Sequence, residues 1–505
     1  MTRRITRAVA LTAAALSFAL SGTALAQTQW PASRPPAPLT AKPVSFPPYQ
    51  LKTLSNGLQV LVVLHHEQPS VYFRLLVRAG GVQEPASKPG VASFVASLLN
   101  QGTTSKSAGQ IATLVDSAGG LLGTGSLNEL SYVNGAVIKD RVDLMLATAA
   151  DLVQNPAFAP EEIERQRNQA YSALKVGYDD PDYVANMVFE RLVYGFHPYG
   201  RPNQGTPESI AKITREDLVA YHRAWFVPNN ALLAIVGDLT AAEAFAAAEK
   251  AFGSWAKRDV PAVKPVEPPP PARRVVIIDR PGSAQTEIRV GHLAMPRTHP
   301  DFVPFDLTMR VLGGEGANRL FGVLRSDRGL TYGASAELHS FKSSGNIVAE
   351  TDTRSAATGE ALRLMVNEVF RLQREPVGSA ELRGAQDYLS GSFPLTIESP
   401  SAIAQQVLMH LFYGLDLKEI ETYRDQVERV APADIQRVAR QFLKPEQLSI
   451  VLVGDAGLFI EQLKEQLKGL GFSEVERIPL GELDLNSPTL RRGSPPVSRE
   501  DPPPA

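Results

Sequence analysis

A chain of 505 residues that is 44% hydrophobic and 21% charged is too long for one ordinary domain and carries apolar material for two cores. Its 51 basic and 53 acidic residues leave a formal charge of -2, without the cationic surplus that would make nucleic acid a partner. It has no cysteine, which excludes disulfides and a lipid-modified cysteine alike.

Arg3, Arg4 and Arg7 precede an apolar run from Ala8 to Leu20 and an Ala24-Leu25-Ala26 cleavage pattern, so residues 1–26 read as a secretory signal peptide. That run is too short to cross a bilayer, and no stable membrane insertion is expected. Removing residues 1–26 deletes three arginines and no acid, which moves the formal charge to -5. The expected location is the periplasm, with full secretion as the alternative. Residues 27–47 form a proline-rich lead. In LKTLSNGLQVLVV, Asn56-Gly57 sits between alternating apolar residues and predicts a tight hairpin. His65-His66-Glu67 looks metal-like, but neighbours on a strand point to opposite faces, and a solvated strand end is the expectation.

The segment GVASFVASLLNQGT, residues 90–103, has the spacing of a metalloprotease helix without its chemistry. In H-x-x-E-H the two histidines lie four apart and face one Zn²⁺, and the glutamate activates the bound water. Here those places hold Ser93, Ala96 and Ser97. With Gly90, Ala92, Gly102 and Thr103 around them, the segment resembles the zinc helix of the pitrilysin-type (M16) peptidases. The family takes a third ligand from a glutamate some 76 residues further on, which falls here on Ala173. The surrounding EEIERQRNQAYSALKVGYDDP resembles the family's ligand helix and its acidic turn. Serine is a poor zinc ligand and alanine is none, so no water would be brought from a pKa of about 15.7 to about 7. The forfeited shift is worth roughly 12 kcal/mol.

His197 lies in YGFHPYGRP, similar to the family's H-P-x-G-R-P loop, where a capped loop histidine is expected. Residues 261–274, PAVKPVEPPPPARR, read as a proline-rich linker joining two lobes without packing. The lobes are relatives: WFVPNNALLAIVGD at Trp225 recurs as FLKPEQLSIVLVGD at Phe442. Pro228/Pro445, Gly237/Gly454, Asp238/Asp455 and Asp217/Asp434 share an offset of 217. In the second lobe, GGEGANRLFGVLRSDRGLTYGASAE lacks the G-x-x-x-x-G-K-[ST] of a phosphate loop. It resembles the family's S-R-L-F…L-R-x-x-R-G-L-x-Y pattern, whose Arg and Tyr correspond to Arg325 and Tyr332. Residues 481–505 lack apolar content and read as a disordered tail.

The resemblance spans residues 48–480 and implies an α+β fold. Two homologous, metalloenzyme-like αβ lobes, residues 48–260 and 275–480, would each be an antiparallel-rich sheet covered by helices, together half of a clam shell. It further implies that Arg325 and Tyr332 bind a substrate carbonyl in trans, beside a zinc held by a partner M16 subunit. On that reading the chain carries no cofactor of its own, its substrates are peptides, and it is inactive alone. The alternative is a non-enzymatic peptide-binding or scaffold protein that kept the fold.

Overall fold

The computed structural model describes residues 45–263, 266–270, 273–314, 318–472 and 474–493. The predicted signal peptide lies outside them. Strands β1 (Tyr49–Thr53), β2 (Gln59–Leu64), β3 (Ser70–Val77), β4 (Leu121–Ser126), β5 (Ser131–Ile138) and β6 (Ala231–Gly237) form one sheet in the order β1-β2-β6-β3-β5-β4. Strands β7 (Arg274–Asp279), β8 (Gln285–Ala294), β9 (Ala334–Ser340), β10 (Gly345–Arg354), β11 (Ser449–Gly454) and β12 (Glu476–Pro479) form a second in the order β12-β7-β11-β8-β10-β9. The inner orders match place by place, and the repeated segments with offset 217 are β6 and β11, each parallel to its neighbour β2 or β7. The edge strand comes from opposite ends of the chain. β1 runs antiparallel to β2, whereas β12 runs parallel to β7. The expected α+β class, two helix-covered sheets, is what the chain adopts.

The predicted hairpin joins β1 to β2, with Gly57 at φ 91°, a left-handed conformation that favours glycine. The Asn56 amide donates to Phe252 O and Trp255 O at 2.8 and 3.2 Å, tying the turn to the end of the lobe. In β3, Val71, Phe73, Leu75 and Val77 enter the first core, together with helix α1 (Val91–Leu98). β6 is buried at every residue, the pattern of a strand covered on both faces.

That second cover comes from the other lobe. Helices α2 (Pro160–Asp179) and α3 (Pro181–Tyr194) each open with proline in the first turn, where its missing N–H costs nothing. α3 crosses over, and its Val184, Val188, Phe189 and Leu192 cluster with Val276, Ile278, Val348 and Val451 of the second sheet. Gly291 on β8 makes room, since a Cβ there would lie 2.8 Å from the Phe189 ring. Reciprocally, α4 (Pro400–Tyr413) packs across β3 and β6, burying Ile403, Ala404, Val407 and Leu408. Arg289, 2% exposed on β8, adds a polar tie. It pairs with Asp182 of α3 and with Glu350 and Glu287 at 3.2 and 3.4 Å, and donates to Asn186 Oδ1 at 2.8 Å.

Two expectations need correction. The linker 261–274 does pack: Val266 O accepts from His197, Pro269 lies against Gly195, and β7 already begins at Arg274. The tail 481–505 is ordered through residue 493, and its remainder lies outside the described residues. Leu483, Leu485 and Leu490 are buried in the α3 cluster, and the buried Arg191 donates to Leu485 O and Ser487 O at 3.0 and 3.2 Å. Three leucines and the hydrogen bonds offered by α3 outweigh the ordering entropy that the polar composition suggested would prevail. Leu485→Ala should therefore cost about 2–4 kcal/mol. Urea unfolding would measure it, with a lower midpoint at unchanged slope as the expected result.

Candidate functional site

α1 starts from Gly90 at φ 102° and packs by Val91, Ala92, Phe94, Val95 and Leu98. Its first N–H groups have no helical partners, and Glu84 supplies them. One carboxyl oxygen accepts from Ala92 N at 2.6 Å and the other from Gly90 N at 3.0 Å. Burial pushes this carboxyl up to about 8, outweighing the two N–H donors and the nearby Arg201. Sequence reasoning passed over Glu84. The available signal was an acid six residues ahead of a helix start.

On α1, Ser93 and Ser97 are half-buried, and Ser97 Oγ donates to Phe94 O at 3.0 Å. Ala96 is fully buried, and Ala173 is exposed on α2. These four places offer two hydroxyls, one already engaged with the helix backbone, and no imidazole or carboxylate. Such a donor set does not fit zinc. Among the described residues no three His, Asp or Glu side chains are grouped so as to hold a metal ion.

The second lobe brings Arg325 and Tyr332 together. Arg325 lies on the π-helical turn Phe321–Asp327, and Tyr332 follows it in the loop into β9. The guanidinium carbon sits 4.6 Å from the Tyr332 ring centre and 4.8 Å from that of Phe321, so the cation lies over two aromatic rings. Tyr332 is 82% exposed, and among the described residues no carboxylate lies within ion-pair distance of Arg325. Thr331 Oγ1 and Thr351 Oγ1 both donate to Gly333 O, at 2.7 and 2.8 Å, fixing the backbone beside Tyr332. Phe321 was not singled out from the sequence, although it is the F of the quoted L-F pair.

Beside this turn lies a cavity of ≈ 610 Å³ lined by Phe321, Gly333, Asp182, Glu287, Arg289 and Asp352 among others. Burial pushes Glu287 up to about 7 despite Arg289, with Asp352 and Asp182 adding to the rise. His197 is a structural loop residue: Nδ1 accepts from Tyr199 N at 3.1 Å, so Nε2–H donates to Val266 O at 2.8 Å. His65 and His66 sit at the end of β2, where His66 Nδ1 meets Asp238 at 2.7 Å and no metal-like grouping results.

Two family models match the chain: Insulinase (Peptidase family M16) over residues 59–206, and Peptidase M16 inactive domain over residues 212–389. An "Uncharacterized zinc protease" of Mycobacterium tuberculosis is 27% identical over 407 residues, 79% of this chain and 92% of its own. Another, from Bacillus subtilis, is 23% identical over 408 residues, 80% of this chain and 98% of its own. Among solved structures, a peptidase M16 inactive domain from Pseudomonas fluorescens superposes with a TM-score of 0.75 at 27% identity, covering 80% of this chain and 98% of that one. A protease from Helicobacter pylori gives the same TM-score at 21% identity, covering 81% and 100%, a likeness of fold.

The Glu84 clamp has a pH consequence. Its carboxyl is held near 8 in the fold against an ordinary 4.5, so the native state binds the proton more tightly. Its stabilising contribution is complete below pH 4.5 and disappears as pH rises through 8. Unfolding free energy should fall across that window by on the order of a few kcal/mol. Denaturant titrations at pH 4.5 and pH 8.5 should show a smaller difference in Glu84→Gln than in the unaltered chain.

Proposed function

We propose that this chain, which belongs to the M16 peptidase family, is a zinc-less subunit that works beside a zinc-carrying M16 partner. One observation carries the proposal: Arg325 and Tyr332, both exposed, are stacked together and left open. A guanidinium and a phenol are hydrogen-bond donors suited to a peptide carbonyl whose oxygen gains negative charge as it is attacked. Phe321 and Tyr332 flank the guanidinium, and among the described residues no carboxylate within ion-pair distance occupies its N–H groups. The metal and the attacking water would come from the partner, since Ser93, Ala96, Ser97 and Ala173 supply no ligands.

The substrates on this reading are unfolded or short peptides, and the pair would work in the periplasm, to which residues 1–26 point. The printed name of the relatives, zinc protease, supports peptide hydrolysis as the reaction class. The test is reconstitution with a zinc-carrying M16 chain from the same organism, read as hydrolysis of a quenched fluorescent peptide. Activity should appear only in the mixture. It should fall about 10²-fold or more with Arg325→Ala or Tyr332→Phe, the usual scale for loss of one such donor. Hydrolysis by the isolated chain would overturn the proposal, and full activity with Arg325→Ala would favour the scaffold reading instead.

A further inference from the structure

Between the lobes, under the linker, lies a second cavity of ≈ 480 Å³, well within the range for small-molecule sites. One part of its wall is apolar: Val82 and Trp225 from the first lobe, Pro261 and Val263 from the linker, Phe412 from α4. Into this lining projects Arg78, from the end of β3.

Arg78 is half-buried, and among the described residues no carboxylate lies within ion-pair distance of it. Its side chain has one long hydrogen bond, from Nη2 to Gln59 Oε1 at 3.4 Å. Burial draws its pKa down, and no neighbouring acid acts to raise it. A partly desolvated cation facing apolar walls without an anion is costly, and the cost is relieved by a ligand that brings the missing charge.

Two other charged groups line the cavity, Glu129 and Lys342. Glu129 accepts from Tyr199 Oη at 2.6 Å and from Lys342 N at 3.0 Å, and Lys342 Nζ lies 5.5 Å from the Phe412 ring centre. The linker is held over the cavity by His197, whose Nε2–H donates to Val266 O. In this chamber neither Arg78 nor Lys342 has a carboxylate within ion-pair distance among the described residues, and Arg78 is the cation that burial acts on.

We infer that the inter-lobe cavity binds a carboxylate carried on an apolar body, with the carboxylate on Arg78 and the body against Val82, Trp225, Val263 and Phe412. Two sources share that chemistry: a peptide ending in a large apolar residue, and a medium-chain fatty acid. The site is independent of the proposed pairing with a zinc-carrying subunit, because none of its residues belongs to α1 or to the Arg325–Tyr332 pair.

Isothermal titration of the full mature chain with N-acetyl-Leu-Phe, its C-terminal amide and decanoate tests the inference. The acid should bind and the amide bind at least about tenfold more weakly, since a charge-assisted contact is lost. Arg78→Gln should weaken the acid by a similar factor and leave the amide unchanged, with an unaltered melting temperature as the folding control. Tighter binding of decanoate assigns the site to fatty acids, and tighter binding of the dipeptide assigns it to chain ends. Equal binding of acid and amide by the unaltered chain would overturn the inference even if Arg78→Gln failed to fold. So would absence of binding by both the dipeptide and decanoate.

Discussion

The exchange of helices between the lobes is the constraint on which the rest of the molecule depends. The central strands β6 and β11 are buried at every residue, so each sheet has two apolar faces and only one set of helices from its own lobe. The uncovered faces are closed by α3 and α4, each crossing to the other lobe. Full burial of an aliphatic or aromatic side chain is worth about 1.5–3 kcal/mol, so Val184, Val188, Phe189 and Leu192 alone bring on the order of 10 kcal/mol to this contact. A lobe without its neighbour would expose that surface. The described residues accordingly form one compact unit, and the linker is a strap across a closed seam rather than a hinge.

The duplication also shows where the lobes have parted. Arg74 on β3 and Arg289 on β8 occupy equivalent places, 215 residues apart, each opposite β6 or β11 in its sheet. Arg289 is saturated by Asp182, Glu287 and Glu350 and ties α3 to the second sheet. Arg74 instead lies 4.4 Å from the Tyr132 ring centre, opposite Asn134 where the second lobe has Glu350. One frame therefore carries carboxylates in one lobe and neutral polar groups in the other. Backbone register was retained while the charge presented from it changed.

Much of this was legible in the sequence, for reasons that differ by element. The offset of 217 survives because β6 and β11 are central strands, whose sequences are fixed by burial on both faces. The altered zinc helix was legible because metal ligation demands particular residue types at fixed spacing, so its loss is as visible as its presence. What composition misjudged were the segments whose order is set by distant surfaces. Proline content predicted that residues 261–274 would not pack, yet His197, far away in sequence, supplies a donor to Val266. Polar content predicted disorder after residue 480, yet α3 offers Arg191 and an apolar seat to Leu485 and Leu490. Glu84 and Phe321 escaped for the same reason. Each acts on a partner whose position only the folded chain defines.

The energetics separate what is kept for the fold from what is not. α1 without its metal ligands loses nothing structural, because Glu84 satisfies its free N–H groups and Val91, Ala92, Val95 and Leu98 anchor it in the core. Retention of that helix is thus explained by stability and carries no weight for catalysis. The Arg325–Tyr332 pair is the opposite case. A cation–π contact at an exposed site is worth about 0.5–1 kcal/mol, and an open phenol adds little burial to offset the ordering of two long side chains. Stability therefore gives a weak account of why this turn presents its arginine and tyrosine side by side to solvent, and the proposed recognition of a carbonyl is the reading that addresses it.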